Sequence, residues 1–300
     1  MIEKGKGRYV EDLRIIQLCE ADLNFVLHEI WGHRLIWYAM RHRGLDPAQY
    51  ALPGQTCNNA VLNKTPFLDL CRQTLSPGIL TDYDATAAFD RVLAGLSIVT
   101  CQRVGIPRIA GNLMFKLLKE MSFYLITGFG QSTERFNNNQ MGLQGQGVLQ
   151  GSSSTCPIYI LISDLYLSNY RKLGTGVAFY HLITKNRVHD TSVQFVDDKS
   201  KFLNPVGAGH HNDPNTDVGS ALLPLASQNS QIWADSIWIS GGSLNINKCF
   251  YYAFIPAVNF KSKSIDCLDL PMPDQINARC RHDIPSKESK DFLPPSVGER

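Results

Sequence analysis

Val193-Gln-Phe-Val-Asp197-Asp198-Lys-Ser-Lys201-Phe-Leu203 sets two adjacent acids between two short apolar segments, Val193 to Val196 and Lys201 to Leu203. The pattern predicts a tight β-hairpin with the carboxylates at its tip. Two negative charges side by side repel, so keeping both ionised requires solvent or a counter-ion. Such a tip is either fully solvated or a divalent-cation site. More than a hundred residues earlier, Asp84-Ala-Thr-Ala-Ala-Phe89-Asp90 supplies a second acidic cluster. Brought alongside the hairpin, Asp84 would complete the oxygen-rich donor set that Mg²⁺ uses together with substrate phosphates. Read alone, Asp84 is a helix N-cap and the Asp197-Asp198 pair a solvated turn.

Three hundred residues, 44 % of them hydrophobic, suffice for one large domain or two modest ones. A net charge of +2 gives no bulk signal for a polyanionic partner. Any nucleic-acid surface must be local, and Arg34, Arg41, Arg43, Arg103, Arg108, Lys116, Lys119, Arg171 and Lys172 are its candidates. The eight cysteines are scattered, with no Cys-x-x-Cys pair. They predict reduced thiols in an intracellular compartment, nuclear or cytoplasmic. The charged amino terminus does not read as a signal peptide. Apolar runs fall short of the roughly 18–20 residues that span a membrane, so none is expected.

Leu23, Val26, Leu27, Ile30, Trp31, Leu35 and Tyr38 recur at three and four, which predicts a helix over 20–43 with Trp31 and Tyr38 in its core face. Residues 45–65, rich in Pro, Gly and Asn, read as loop. Gly78 to Tyr83 reads as a strand delivering Asp84. Helices are predicted over 86–103 and 108–125, then a Gly/Gln/Asn-rich loop over 128–152. Serines 152–154 stand where a helix cap belongs, ahead of the apolar run 158–170. After the hairpin, 204–218 reads as an excursion whose His210-His211 lacks partners at metal-ligand spacing. A helix (221–239) and an aromatic strand (244–254) follow, and the last forty residues look poorly packed. This order suits an α+β domain whose antiparallel sheet is covered by helices on one face.

At this point the residues resemble a family: the reverse transcriptases of non-LTR, LINE-like retroelements, with the chain apparently truncated. Asp84-Ala-Thr-Ala-Ala-Phe89-Asp90 is similar to the first palm motif, Gly147-Val-Leu-Gln150-Gly151 with Pro157 to the Gln-Gly motif, and Phe195-Val-Asp197-Asp198 to the aromatic-x-Asp-Asp motif. Gly241-Gly-Ser-Leu-Asn245-Ile-Asn-Lys248 is similar to the Gly…Asn…Lys motif that follows, and Asp12-Leu-Arg14 to a fingers segment. The departures are a Gln-Gly to Pro spacing one residue long, Gly54-Gln55-Thr56 where basic residues are usual, and an end about fifty residues past Lys248.

The resemblance implies a polymerase palm with an antiparallel sheet packed on helices, partial fingers and a rudimentary or missing thumb. It divides the chain into a fingers-like segment (1–75), a palm (76–255, with a fingers insertion at about 105–146) and a tail or thumb remnant (256–300). It implies an RNA-directed DNA polymerase that extends a DNA primer on an RNA template with dNTPs, using two Mg²⁺ ions or Mn²⁺ in their place. Asp84, Asp197 and Asp198 would hold the metals, with the carbonyl of Ala85 assisting on the nucleotide side. Phe89 would exclude a ribose 2′-hydroxyl, Gln150 and Gly151 would approach base or template, Arg14 would touch triphosphate or template, and Lys248 would protonate pyrophosphate. Alternatives are an inactive remnant that only binds nucleic acid and an RNA-dependent RNA polymerase, the latter disfavoured by Phe89.

Overall fold

A computed structural model describes residues 2–3, 13–14, 16–137, 147–148, 150–180, 183–184, 187–190, 192–206, 218–254, 256–259 and 264–267. In chain order the elements begin with β1 (Ile2–Glu3), β2 (Leu13–Arg14) and α1 (Ala21–Val26), then a π-helical segment (Leu27–Arg34), α2 (Leu35–Arg41) and α3 (Cys57–Thr74). Next come β3 (Gly78–Tyr83), α4 (Ala94–Arg103), α5 (Arg108–Glu120), β4 (Phe123–Thr127), β5 (Gly130–Phe136) and α6 (Thr155–Leu173). The rest are β6 (Val177–Tyr180), β7 (Arg187–Asp190), β8 (Ser192–Phe195), β9 (Asp198–Leu203) and α7 (Val218–Ile239). A 3₁₀ turn (Ile246–Lys248), β10 (Phe250–Phe254), β11 (Pro256–Asn259) and β12 (Ser264–Cys267) close the described chain.

Two compact units are interleaved along the sequence. One comprises 1–46, 87–165 and 240–242, the other 47–86, 166–239 and 243–300.

The second unit is organised on an antiparallel sheet of order β10-β3-β9-β8. Ile79 pairs with Leu203 and Tyr83 with Lys199, so the alternation of both strands sorts side chains cleanly between two faces. Leu80, Phe202 and Val193 pack under α3, against Ala60, Phe67 and Cys71. On the opposite face Tyr83, Lys199 and Lys201 meet Tyr170 of α6 and Trp233 of α7. Both lysines are buried there. Lys201 Nζ lies 3.3 Å from the Tyr170 ring centroid and donates to the Asn229 carbonyl at 3.1 Å. Lys199 Nζ lies 4.1 Å from the Trp233 centroid. Ring faces are partially negative and stabilise such cations.

The first unit holds α1 to α2, α4, α5, the β4–β5 hairpin and the first half of α6. Its polar anchor is Asp164 on α6, which pairs with Arg103 of α4 and accepts a bond from the Asp46 N–H. Arg103 also donates to the Gly44 carbonyl at 2.9 Å.

Several sequence expectations give way locally. Residues 57–65 are helix, not loop, because Thr56 and Asn59 form a reciprocal cap that starts α3. Residues 86–93 are turn rather than helix, with Ala87 at φ +47° and Asp90 N–H bonded to its carbonyl. The helix expected over 108–125 stops at Glu120, and Phe123–Thr127 pairs with Gly130–Phe136 around Gly128-Phe129. Tyr38 is 46 % exposed where core was expected, whereas Trp31 is buried as read. The tail (260–263 and 268–300), loop residues 207–217 with His210-His211, and the Arg14 side chain lie outside the described residues.

Candidate functional site

Asp84 directly follows β3, and Asp198 begins β9. The ladder of these strands ends at Tyr83 and Lys199, one residue short of Asp84 and Asp198, so both acids lie at the same end of the sheet. Asp197 precedes Asp198 in the two-residue hairpin turn, where Val196 has φ +58°. A β-branched residue in that region is strained, and such strain collects at functional sites. The turn is pinned by Gln194, whose side-chain amide donates to the Val196 carbonyl at 2.6 Å. Gln194 is itself bonded through its backbone to Ala48 and Tyr50.

The Ser243–Lys248 segment wraps the backbone around Asp84. Asn245 N–H donates to the Asp84 carbonyl at 2.9 Å, Thr86 N–H to Ser243, and Ala85 bridges Leu244. The Asp84 N–H donates to the buried Cys249 sulfur at 3.4 Å. Lys248 Nζ stands 3.4 Å from Asp84 Oδ2, its side chain 63 % exposed.

Asp84, Asp198 and Lys248 line a cleft of about 520 Å³ together with Lys64 and Asp82, with Val61, Phe195 and Phe250 as apolar wall. That volume suits a small molecule or a nucleotide. Burial pushes the Asp197 carboxyl up, the charges of Asp198 and Asp84 push it further, and Lys248 pulls it back. Asp198 is raised by burial and by Asp84, but its exposure damps the effect. Among the described residues, no group of three or more His, Cys, Asp or Glu side chains is arranged to hold a metal ion.

Asp84, Ala85, Asp197, Asp198 and Lys248 thus fall in one unit. Phe89, Gln150 and Gly151 fall in the other. There the Phe89 ring meets Tyr159 of α6 edge-on at 5.2 Å. Gln150 accepts a backbone bond from Gln17 at 2.7 Å. Gly151 has φ +118°, and a Cβ there would lie 2.6 Å from the Gln17 carbonyl. Its glycine is therefore required for packing, whatever else it contacts. Arg14 lies in β2, paired by backbone with Ile2.

Sequence reading missed two polar residues at the cleft, Asp82 and Lys64. Asp82 shares the face of Asp84 and is held by Lys64 at 3.0 Å and by the Ser200 hydroxyl. The i, i+2 rule on β3 was enough to find Asp82. Lys64 was hidden because its helix read as loop. Arg103, read as surface cation, is committed to the buried Asp164.

No protein-family model matches the chain, and no curated protein matches it. Among solved structures, telomerase from Candida tropicalis in complex with a TWJ fragment of telomeric RNA is similar at 11 % identity and a TM-score of 0.47. That match covers 78 % of this chain and 36 % of the other. Apo telomerase from the same organism is similar at 12 % identity and a TM-score of 0.47, covering 81 % and 40 %. Telomerase from Candida albicans with a TWJ fragment gives 10 % and 0.40, covering 81 % and 38 %. The chain spans less than half the length of each. Likeness at that level does not assign a family, and the site stands on its own residues. Among the described residues no helix is long and apolar enough to cross a membrane.

Proposed function

We propose that this chain carries the palm of an RNA-directed DNA polymerase, extending a DNA primer on an RNA template with dNTPs. The observation that carries the reading is geometric: Asp84, with Lys248 Nζ 3.4 Å from its Oδ2, and Asp198 line one cleft, and Asp197 adjoins Asp198 in the hairpin turn. Lys248 compensates part of this negative charge, and the remaining hard oxygen donors suit Mg²⁺, with Mn²⁺ as substitute. Two such ions would neutralise charge on the α-phosphate and the leaving pyrophosphate. Asp84 and Asp197 would be the shared ligands, with Asp198 and the Ala85 carbonyl in support.

The chain's own groups supply positioning. The Asn245 and Cys249 contacts fix the backbone of Asp84, and Gln194 fixes the turn that carries Asp197. Held within 0.5 Å or so, such groups contribute by orientation. Lys248 would pass its proton to pyrophosphate. Phe89 would reject a 2′-hydroxyl, and Gln150, Gly151 and Arg14 would contact nucleotide or template.

A second reading is a chain that binds nucleic acid without polymerising, favoured by the lack of an assembled metal cluster among the described residues. Primer extension on an RNA template with dNTPs and Mg²⁺ separates the two. Extension by wild type but not by Asp197→Ala supports the polymerase. Activity retained in Asp197→Ala overturns the carboxylate assignment, and no extension by a folded wild type favours the binding protein.

A further inference from the structure

Between Ile30 and Arg43 the sequence contains three arginines, two histidines and no acidic residue. The π-helical segment and α2 present this stretch with Leu27, Trp31, Leu35, Ile36 and Ala39 buried. The outward row is His33, Arg34, Trp37, Tyr38, Arg41 and His42, all exposed. Trp37 is 52 % and Tyr38 46 % exposed, which is unusual for two neighbouring large rings. Each ring carries a partner four residues on. The Arg41 guanidinium lies 5.1 Å from the Trp37 centroid, and the His42 ring lies 4.2 Å from that of Tyr38 at a tilt of 38°. Two aromatic stacks therefore stand side by side on a face of one charge sign.

We infer that this face of α2 binds single-stranded RNA, with Trp37 and Tyr38 as platforms for unpaired bases and Arg34 and Arg41 on the phosphates. Every base has a π-face, so exposed rings bind strands with little sequence preference. Bases in a duplex are already stacked and cannot use the rings, which selects a single strand. Charge complementarity comes from Arg34 and Arg41, in a stretch (30–43) that contains no acidic residue. Imidazole and phenol groups flanking the stacks both donate and accept hydrogen bonds, matching the ribose 2′-hydroxyl that DNA lacks. A π-helical stretch beside the face is a feature frequent at functional sites. The inference deepens the polymerase reading, on which it rests only for what the bound strand is used for.

The test is equilibrium binding of a fluorescent 12-nucleotide RNA by anisotropy, without metal or dNTPs, at several salt concentrations. The same sequence as DNA and as an RNA duplex serve as comparison arms. We expect wild type to prefer the single-stranded RNA. The Trp37→Ala/Tyr38→Ala variant should weaken binding at least about tenfold with an unchanged salt slope. Arg34→Gln/Arg41→Gln should reduce the slope of log K against log salt by about 1.4. All four side chains are exposed, so circular dichroism should show both variants folded. No RNA binding by wild type, equal binding of the DNA strand, or wild-type affinity in the Trp37→Ala/Tyr38→Ala variant overturns the inference. Because no catalysis enters, a failed primer extension leaves it standing, and wild-type affinity in the Trp37→Ala/Tyr38→Ala variant overturns it while leaving the polymerase reading intact.

Discussion

Removing one partner of the Arg103–Asp164 pair should not cost the same as removing the other. The Asp164 side chain is 2 % exposed and that of Arg103 38 %. Arg103→Met leaves an ionised carboxylate in the interior with the Asp46 N–H as its remaining support among the described residues, a loss of about 3–5 kcal/mol. Asp164→Asn removes the buried charge, keeps an acceptor for Asp46, and leaves Arg103 bonded to Gly44 and reachable by water. It should cost about 1–2 kcal/mol. The Arg103→Met/Asp164→Asn double variant should then lose about 2–3 kcal/mol, less than Arg103→Met alone. Urea unfolding at pH 7, with unchanged m-values, reads all three.

Acidification adds a signature. Burial pushes the Asp164 carboxyl above its ordinary value, while Asp46 and Arg103 pull it back. A carboxyl raised on folding contributes stability that is present in full below its unfolded pKa and lost as pH rises through the folded one. Without Arg103 that loss grows, so Arg103→Met should approach wild type as pH falls toward about 4. Additive single costs, or a loss under about 1 kcal/mol in Arg103→Met, would refute the reasoning.

Val196→Gly should relieve the φ +58° strain and raise stability by about 1 kcal/mol while lowering primer extension, because the turn carrying Asp197 loosens. A less stable variant in urea contradicts the strain. Gly151→Ala should cost about 2–4 kcal/mol from its positive φ and the close approach to Gln17, and wild-type unfolding would contradict that packing. Burial and Lys199 hold the Lys201 ammonium pKa well below its ordinary value. Its stabilising contribution is thus present above the unfolded value of about 10.4 and lost as pH falls through the folded one. The urea midpoint of wild type should rise with pH across that window, and Lys201→Met should flatten the rise; parallel curves would refute it.

The hairpin was legible because Val193 to Leu203 alternates around an acidic turn, and strand alternation alone fixes which side chains share a face. The apolar run 158–170 likewise announced α6. Tyr38 was misplaced for a definable reason. The periodic template assumed 3.6 residues per turn through Leu27–Arg34, where the chain makes wider i→i+5 turns and carries the buried stripe on to Ile36 and Ala39. Helix α3 was hidden by Pro66 and by polar residues around a stripe of only Ala60, Phe67 and Cys71. The β4–β5 hairpin lies almost wholly exposed, so it writes no alternation into its sequence. Of the site, the acids could be read and their supports could not, since Lys64 and Cys249 act through contacts distant in sequence.

Strand β9 also bears on how the chain can fold wrongly. Asp198 and Ser200 face the cleft side while Lys199 and Lys201 face the aromatic rings. A slip of one residue against β3 would exchange the two sets. Both lysines would then meet Asp82 and Asp84, gaining ion pairs the native sheet forgoes. The same slip would drive Asp198 against Trp233 and Tyr170 and turn Phe202 away from Phe67. Such a misregistered sheet would satisfy charge and spoil the core, so aromatic packing rather than ion pairing selects the native register.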